Sequence, residues 1–303
     1  MNLLLTGAVG ITDNLLLRLK QQGWIVDLLK SETDKLDNPA KYDAVICNSL
    51  FLHTSIEEFV NLKMIHLTSA GLDRVPLDYI LNSGIQLFNA RGVYSIPMAE
   101  WVVATILYEY KRLPFFSSNQ MNRKWEKNRS LRELSGKKIA IIGVGNVGEE
   151  IAKRLKPFNT IIEGFDIKPK FNSEFDIISN IENFSASEYD IIILTAPHTS
   201  LTHHILNSNN LYTLKEGSII LALSRGGLID EIALIKALSN RPDLTAILDV
   251  FDEEPLKEES DLWNVGNLRI FPHNSFVGEY NQYRLHSLIL NNIGDFIIHA
   301  SSG

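Results

Sequence analysis

The sequence predicts an α/β protein made of two doubly wound parallel-sheet domains. Three observations lead there. At 303 residues the chain exceeds what one compact core ordinarily serves, so two domains are the natural division. Short β-rich runs alternate with longer amphipathic stretches, which is the βαβ rhythm of a parallel sheet covered on both faces. That rhythm breaks near Pro97 and restarts after Leu134.

Taken in order, the first half offers strands at 2–5, 24–28, 44–48, 64–67 and 85–88, with helical segments at 12–22 and 55–61. Gly7-Ala8-Val9-Gly10 follows the first strand but lacks a second paired glycine and an obvious acidic partner, so it reads as a plain strand-to-helix turn. A helix is expected from Pro97, whose fixed φ suits a first turn, with Met98, Trp101, Val102, Thr105 and Ile106 on one apolar face. Residues 117–134 then turn polar and basic (Asn119, Asn122, Arg123, Lys124, Lys127, Arg129, Arg132) and read as a solvated connecting arm. The alternative for this arm is part of a subunit interface to which Trp125 contributes.

Beyond it, 138–142, 160–165, 191–195, 218–223, 245–250 and 268–271 read as strands. Several are continuous apolar runs, as befits strands buried on both faces. The last segment, 280–299, spaces Tyr283, Leu285, Leu288, Ile289, Ile293, Phe296 and Ile297 for one helical face and is expected to return to the first domain. The expected division is therefore 1–96 plus 281–303 for one domain and 97–280 for the other.

A hydrophobic fraction of 45% with 21% charged residues is an ordinary soluble balance. The net charge of −7 gives no reason to expect a nucleic-acid or anionic-membrane partner. No apolar run approaches the ~18 residues of a membrane span, and Met1 to Gly7 lacks the basic start of a signal peptide, so a cytoplasmic location is expected. The single cysteine, Cys47, lies in an apolar strand without a basic neighbour and reads as core rather than nucleophile.

The most specific local pattern is Gly143-Val144-Gly145-Asn146-Val147-Gly148, directly after the apolar run Ile139 to Ile142 and before a helix-compatible stretch. In such a G-x-G-x-x-G turn Gly143 permits the bend, Gly145 lets backbone approach a pyrophosphate, and Gly148 lets helix and strand pack closely. The helix start, at Asn146 and Val147, offers unpaired N–H groups to phosphate. About 20 residues on, the next strand ends in Asp166. A carboxylate there accepts hydrogen bonds from ribose hydroxyls and repels a 2′-phosphate, favouring NAD, with Lys168 and Lys170 leaving NADP as the less favoured cofactor.

Later strands end in polar groups: Arg225-Gly226-Gly227 after 218–224, Asp249 and then Asp252-Glu253-Glu254-Pro255 after 245–250, and Pro272-His273 after 268–271. Together with the glycine turn, the blocks Leu223 to Glu231, Leu248 to Pro255 and Pro272-His273 resemble the D-isomer-specific 2-hydroxyacid dehydrogenases, in order and spacing, over nearly the whole chain. The resemblance implies a Rossmann NAD-binding domain inserted in a flavodoxin-like substrate domain, with the active cleft between them. It also implies hydride transfer between NAD(H) and a small 2-oxo or D-2-hydroxy acid. Arg225 would bind the substrate with its always-charged fork, His273 would serve as acid/base, and Glu254 would fix the imidazole's tautomer. Asp249 would lie near the nicotinamide carboxamide, and Ala196, Pro197, Thr202, Leu223 and Arg225 would line the cofactor cleft. In the first half, Leu67 to Asp73 resembles the family's carboxylate-binding turn, making Ala70 and Gly71 substrate candidates beside Arg225 and His273. No metal is called for, and a homodimer is expected. His203 and His204 read as solvent residues at a helix start.

The match frays where Ala222 replaces a common asparagine, and in Asn274-Ser275-Phe276-Val277, where Phe276 resembles the lactate-type branch without its following tyrosine. These departures bear on substrate identity. The chain carries no counterpart of the long C-terminal extension of regulated phosphoglycerate dehydrogenases, so control through such a domain is not expected. The rival readings are an NAD(H)-sensing regulator of the same fold and an enzyme acting on formate or phosphite; the formate type would carry an amide in place of Glu254.

Overall fold

In the computed structural model the described residues are 1–300, with side chains as far as Phe296. The expected domain's last residues, 301–303, and the Ile297 side chain lie outside the described residues. The chain divides into two compact units, Met1–Tyr94 with Gly278–Gly303, and Ser95–Val277.

The first unit opens with β1 (Asn2–Thr6), α1 (Asp13–Gln21) and β2 (Ile25–Leu29). Thr12 caps α1 by accepting from the Leu15 N–H at 3.3 Å. β3 (Ala44–Cys47), β4 (Met64–Leu67), α2 (Leu77–Ser83) and β5 (Gln86–Phe88) follow. All pairings are parallel, in the order β2-β1-β3-β4-β5, the flavodoxin-like arrangement.

The second unit starts with α3 (Ser95–Tyr110) and α4 (Leu113–Met121), then β6 (Lys138–Ile142), α5 (Asn146–Leu155), β7 (Ile161–Asp166), β8 (Ile177–Asn180) and β9 (Ile191–Leu194). It continues through β10 (Ile219–Ala222), α6 (Glu231–Asn240), β11 (Thr245–Leu248) and β12 (Leu268–Ile270). Its seven parallel strands lie in the order β12-β11-β10-β9-β6-β7-β8. This is the Rossmann order with one added strand, and its direction reverses between β6 and β9, where ligands bind at the carboxyl ends of the strands. α3 packs on α5, while Ile139, Ile141, Ile191 and Ile193 supply one buried face of the sheet and Ala140, Ile142, Ile192 and Leu194 the other. The final helix, α7 (Asn281–Ala300), packs Leu285, Ile289, Leu290, Ile293 and Phe296 into the first unit's core beside Leu3, Leu5 and Leu15.

Four local expectations need correction. Residues 55–61 form no α-helix, only a 3-10 turn at Ile56–Glu58, because three-residue spacing already buries both Ile56 and Phe59. The arm 117–134 begins inside α4, where Asn119 is buried. Arg132 is no solvated residue either, since it donates to Gly217 O at 2.7 Å and lies 4.2 Å over the Tyr110 ring. His203 and His204 start no helix; His203 is exposed but bonds His198 at 2.9 Å and stacks on half-buried His204. Cys47 is fully buried in the core, and burial pushes its thiol up, as befits an inert side chain.

Candidate active site

The glycine turn sits where the second unit's strand order reverses. Gly143 takes φ 106°, which a side chain would strain, and an added Cβ would stand 2.6 Å from Ala196 N. A Cβ on Gly148 would fall inside the van der Waals shell of Gly143 O, so α5 can meet β6 this closely only with glycine there. Above Gly145 an added Cβ would meet nothing within 4 Å. Thr195, just beyond β9, donates to Gly143 O at 2.8 Å and joins the two strand ends.

Asp166 accepts from the Val144 N–H at 3.0 Å through Oδ2 and from the Lys168 N–H at 3.0 Å through Oδ1. It therefore holds the glycine turn while each oxygen keeps a lone pair for a further donor. Open space over Gly145, the start of α5 and a carboxylate at the end of β7 together fit a dinucleotide. By contrast Gly7–Val9 forms a 3-10 turn, and Glu32 beside it is saturated by Thr6 Oγ1, the Asn48 N–H and both Ser49 donors. The Glu32 carboxylate thus has no lone pair left for a ribose.

The loops after β10, β11 and β12 carry the polar groups. Glu254 Oε1 accepts from the Phe251 N–H at 3.0 Å, which aims Oε2 at His273 Nδ1, 2.7 Å away. A carboxylate on Nδ1 requires the proton on that nitrogen and leaves Nε2 for proton exchange. His273 itself takes φ 50°, an uncommon conformation for a side-chain-bearing residue. Fully buried Asp249 holds that bend, since its two oxygens accept from the Asn274 N–H at 2.7 Å and the Ser275 N–H at 2.9 Å. Phe276 presents its ring edge-on to the imidazole, centroids 5.9 Å apart.

Arg225 is half-buried at the end of the β10 loop and donates to Ser224 O at 2.6 Å. The next residue, Gly226, lies so close to Phe251 and Asp252 that an added Cβ would overlap their backbone. The Arg225 and Glu254 loops are thus in direct contact.

Of the residues expected along the cofactor cleft, Pro197 is exposed, whereas Ala196, Thr202, Leu223 and Asp249 are buried. The Thr202 hydroxyl is committed to its own turn, donating to Pro197 O at 2.7 Å and accepting from the Thr199 N–H at 2.8 Å. In the first unit, Ala70 and Gly71 lie in the turn after β4, braced by Asn89 Nδ2 donating to Ala70 O at 2.8 Å and Ser69 Oγ to Gly71 O at 3.1 Å. Tyr94 donates from its hydroxyl to Thr68 O at the start of the same turn. The loop-clamping role of Asp249 was not legible in the sequence, because nothing local links residue 249 to 274 and 275.

A seven-stranded parallel sheet with a glycine turn at its reversal point defines a Rossmann-type dinucleotide-binding domain. Residues 103–275 match the family model described as D-isomer specific 2-hydroxyacid dehydrogenase, NAD binding domain. The chain belongs to this family. It is 33% identical over 222 residues to a hydroxypyruvate reductase of Thermotoga maritima, covering 72% of each chain. It is also 33% identical over 223 residues to a D-3-phosphoglycerate dehydrogenase of Methanocaldococcus jannaschii, covering 72% of this chain but 42% of that one. The chain thus spans less than half the length of that relative. A crystal structure of a D-isomer specific 2-hydroxyacid dehydrogenase family protein from Aeromonas salmonicida superposes with a TM-score of 0.84 at 25% identity, over 98% of this chain and 96% of that one. Among the described residues no helix is long and apolar enough to cross a membrane, and no group of three or more candidate ligands could hold a metal ion.

Proposed function

We propose that this chain interconverts a small 2-oxo acid and its D-2-hydroxy acid, using NAD(H). The observation that carries the reading is the 2.7 Å contact between Glu254 Oε2 and His273 Nδ1 at the strand ends of a dinucleotide-binding domain. The bound nicotinamide would supply or accept the hydride. His273 Nε2 gives a proton to the oxygen of the 2-oxo group as the carbonyl becomes a hydroxyl, and takes it back in the reverse direction. One 2-oxo acid, one NADH and one proton thus become one 2-hydroxy acid and one NAD. Glu254 keeps the imidazole in the Nδ1–H tautomer and offsets the charge it carries when doubly protonated. Arg225 holds the substrate carboxylate and polarises the carbonyl. By the family resemblance, Ala70 and Gly71 in the turn after β4 would offer backbone N–H groups to a substrate carboxylate.

Gly143, Gly145, Asn146, Val147 and Gly148 would hold the pyrophosphate and Asp166 the adenosine ribose, which favours NAD over NADP. Ala196, Pro197, Thr202, Leu223 and Asp249 shape the nicotinamide side, chiefly by fixing the loops. Trp125, 99% exposed beyond α4 with exposed Met121 and Leu131 nearby in sequence, is assigned to a homodimer contact.

The test follows NADH absorbance against pyruvate, glyoxylate, hydroxypyruvate and branched 2-oxo acids. Turnover with at least one, abolished in His273→Ala with NADH binding retained, is the expected result. Tight NADH binding with no turnover on any of them would overturn the enzyme reading in favour of an NAD(H)-sensing protein.

A further inference from the structure

Glu231 takes no part in the chemistry proposed above, yet it touches the loop that carries Glu254. It is the first residue of α6, whose start is capped by Asp230 accepting from the Ala233 N–H at 2.9 Å. From that anchored position its Oε1 accepts from the Asp252 N–H at 2.8 Å. Among the described residues no other hydrogen bond from outside the loop reaches the backbone of 251–255. The loop's other restraints are the burial of Phe251, the Phe251 N–H bond to Glu254 Oε1, and the close approach of Gly226 to the Phe251–Asp252 peptide.

We propose that Glu231 is a positioning residue: by holding the Asp252 N–H it sets the 251–254 loop so that Glu254 meets His273 Nδ1. The inference rests on the acid/base reading of His273 and Glu254. A carboxylate that swings with an untethered loop can leave the imidazole free to exchange tautomers, and only the Nδ1–H tautomer presents an unprotonated Nε2. Gly226 confines the loop on one side by contact and Glu231 ties it by a hydrogen bond, so neither restraint replaces the other. Burial pushes the Glu231 carboxyl up, and the nearby Asp252 charge adds to that, while the Asp252 N–H bond opposes it.

Three variants of the full chain separate position from charge. Glu231→Gln keeps a carbonyl oxygen that can accept from the Asp252 N–H. Glu231→Asp keeps the charge at the helix start but is one methylene too short to reach. Glu231→Ala loses both. The first readout is the tautomer of His273 from its ¹⁵N shifts, assigned by its disappearance in His273→Gln. The second is kcat and KM with the best 2-oxo acid, and the third is NADH affinity by fluorescence.

The expected result is a His273 tautomer ratio displaced toward Nε2–H in Glu231→Asp and Glu231→Ala. With it goes a drop in kcat of about tenfold, the equivalent of one charge-assisted hydrogen bond, and NADH affinity within about twofold of the parent on the same scale. Glu231→Gln should restore both. A wild-type tautomer ratio and kcat in Glu231→Asp would overturn the inference, as would Glu231→Gln being as impaired as Glu231→Ala. If Glu231→Ala fails to fold, Glu231→Asp carries the comparison. If no 2-oxo acid turns over at all, the enzyme reading fails, while the tautomer ratio still decides whether Glu231 positions Glu254.

Discussion

Replacing Asp249 by asparagine should release the loop that presents His273. The carboxylate is fully buried at the end of β11 and accepts two backbone N–H groups, from Asn274 at 2.7 Å and Ser275 at 2.9 Å. Asparagine keeps one acceptor oxygen and turns an NH₂ group toward the other N–H. One charge-assisted bond is lost and a buried donor is left unmatched, each worth about 1.5–2 kcal/mol, or about 3–4 kcal/mol together. Part of this returns when the loop relaxes, because His273 leaves φ 50° and sheds roughly 1 kcal/mol of strain. The net change of about 2–3 kcal/mol corresponds to a roughly 30- to 150-fold shift in favour of the released loop.

The loop should yield before the sheet does. The loss is therefore expected mainly in kcat at saturating NADH, by about 10- to 100-fold, with global stability changed by no more than about 1 kcal/mol. Measuring kcat at saturation separates this from any weakening of cofactor binding, and urea unfolding supplies the stability term. Wild-type kcat together with a loss of the whole 2–3 kcal/mol in unfolding would refute the reasoning, because Asp249 would then support the sheet and not the loop.

Gly226→Ala should place a methyl group within the Phe251–Asp252 backbone, costing about 2–4 kcal/mol by overpacking and lowering kcat with it; a Tm within about 1 °C of wild type would contradict this. His66 is buried on β4, donating from Nδ1 to Leu67 O at 3.0 Å and lying 3.1 Å from Asn292 of α7, and burial lowers its pKa from an ordinary 6.5 to about 4. Above pH 6.5 neither state binds the proton; as pH falls from 6.5 toward 4 only the unfolded state does. Stability should therefore drop by up to about 3 kcal/mol across that window, and the drop should be smaller by that amount in His66→Gln, compared by denaturant unfolding at pH 7 and 4.5. Asp166→Ser should lower the preference for NADH over NADPH by at least about tenfold, by removing a like charge from the 2′-phosphate position. It should also weaken both cofactors, because Val144 and Lys168 lose their acceptor; an unchanged ratio of kcat/KM values would exclude the assignment of Asp166 to the ribose.

Legibility in the sequence followed burial and locality. Continuous apolar runs such as Ile139 to Ile142 and Ile191 to Leu194 are buried on both faces and were readable as central strands. β8, an edge strand with only Ile177 and Ile178 apolar, carried too little pattern to be seen. α2 is one short run between Pro76 and the left-handed Gly84, and its seven residues bury only Ile80. Arg132 read as a solvated arm because a basic segment says nothing of the carbonyl at Gly217 that it reaches across 85 positions.

The α/β class, the glycine turn with Asp166, and the succession of Arg225, Glu254 and His273 could be read from the chain alone, because each rests on periodicity, on spacing along the chain or on the family resemblance of its motifs. How those groups are held is visible only in the folded chain. The Glu254 carboxylate is split between Phe251 and His273, the bend at His273 is kept by Asp249, and the Glu254 loop is tied by Glu231 and pressed by Gly226. Apart from the local Phe251 bond, the hydrogen bonds among these restraints join residues 19 to 26 positions apart, in the segments that follow adjacent strands of a parallel sheet. Such neighbours exist only once the crossovers have brought the strand ends side by side.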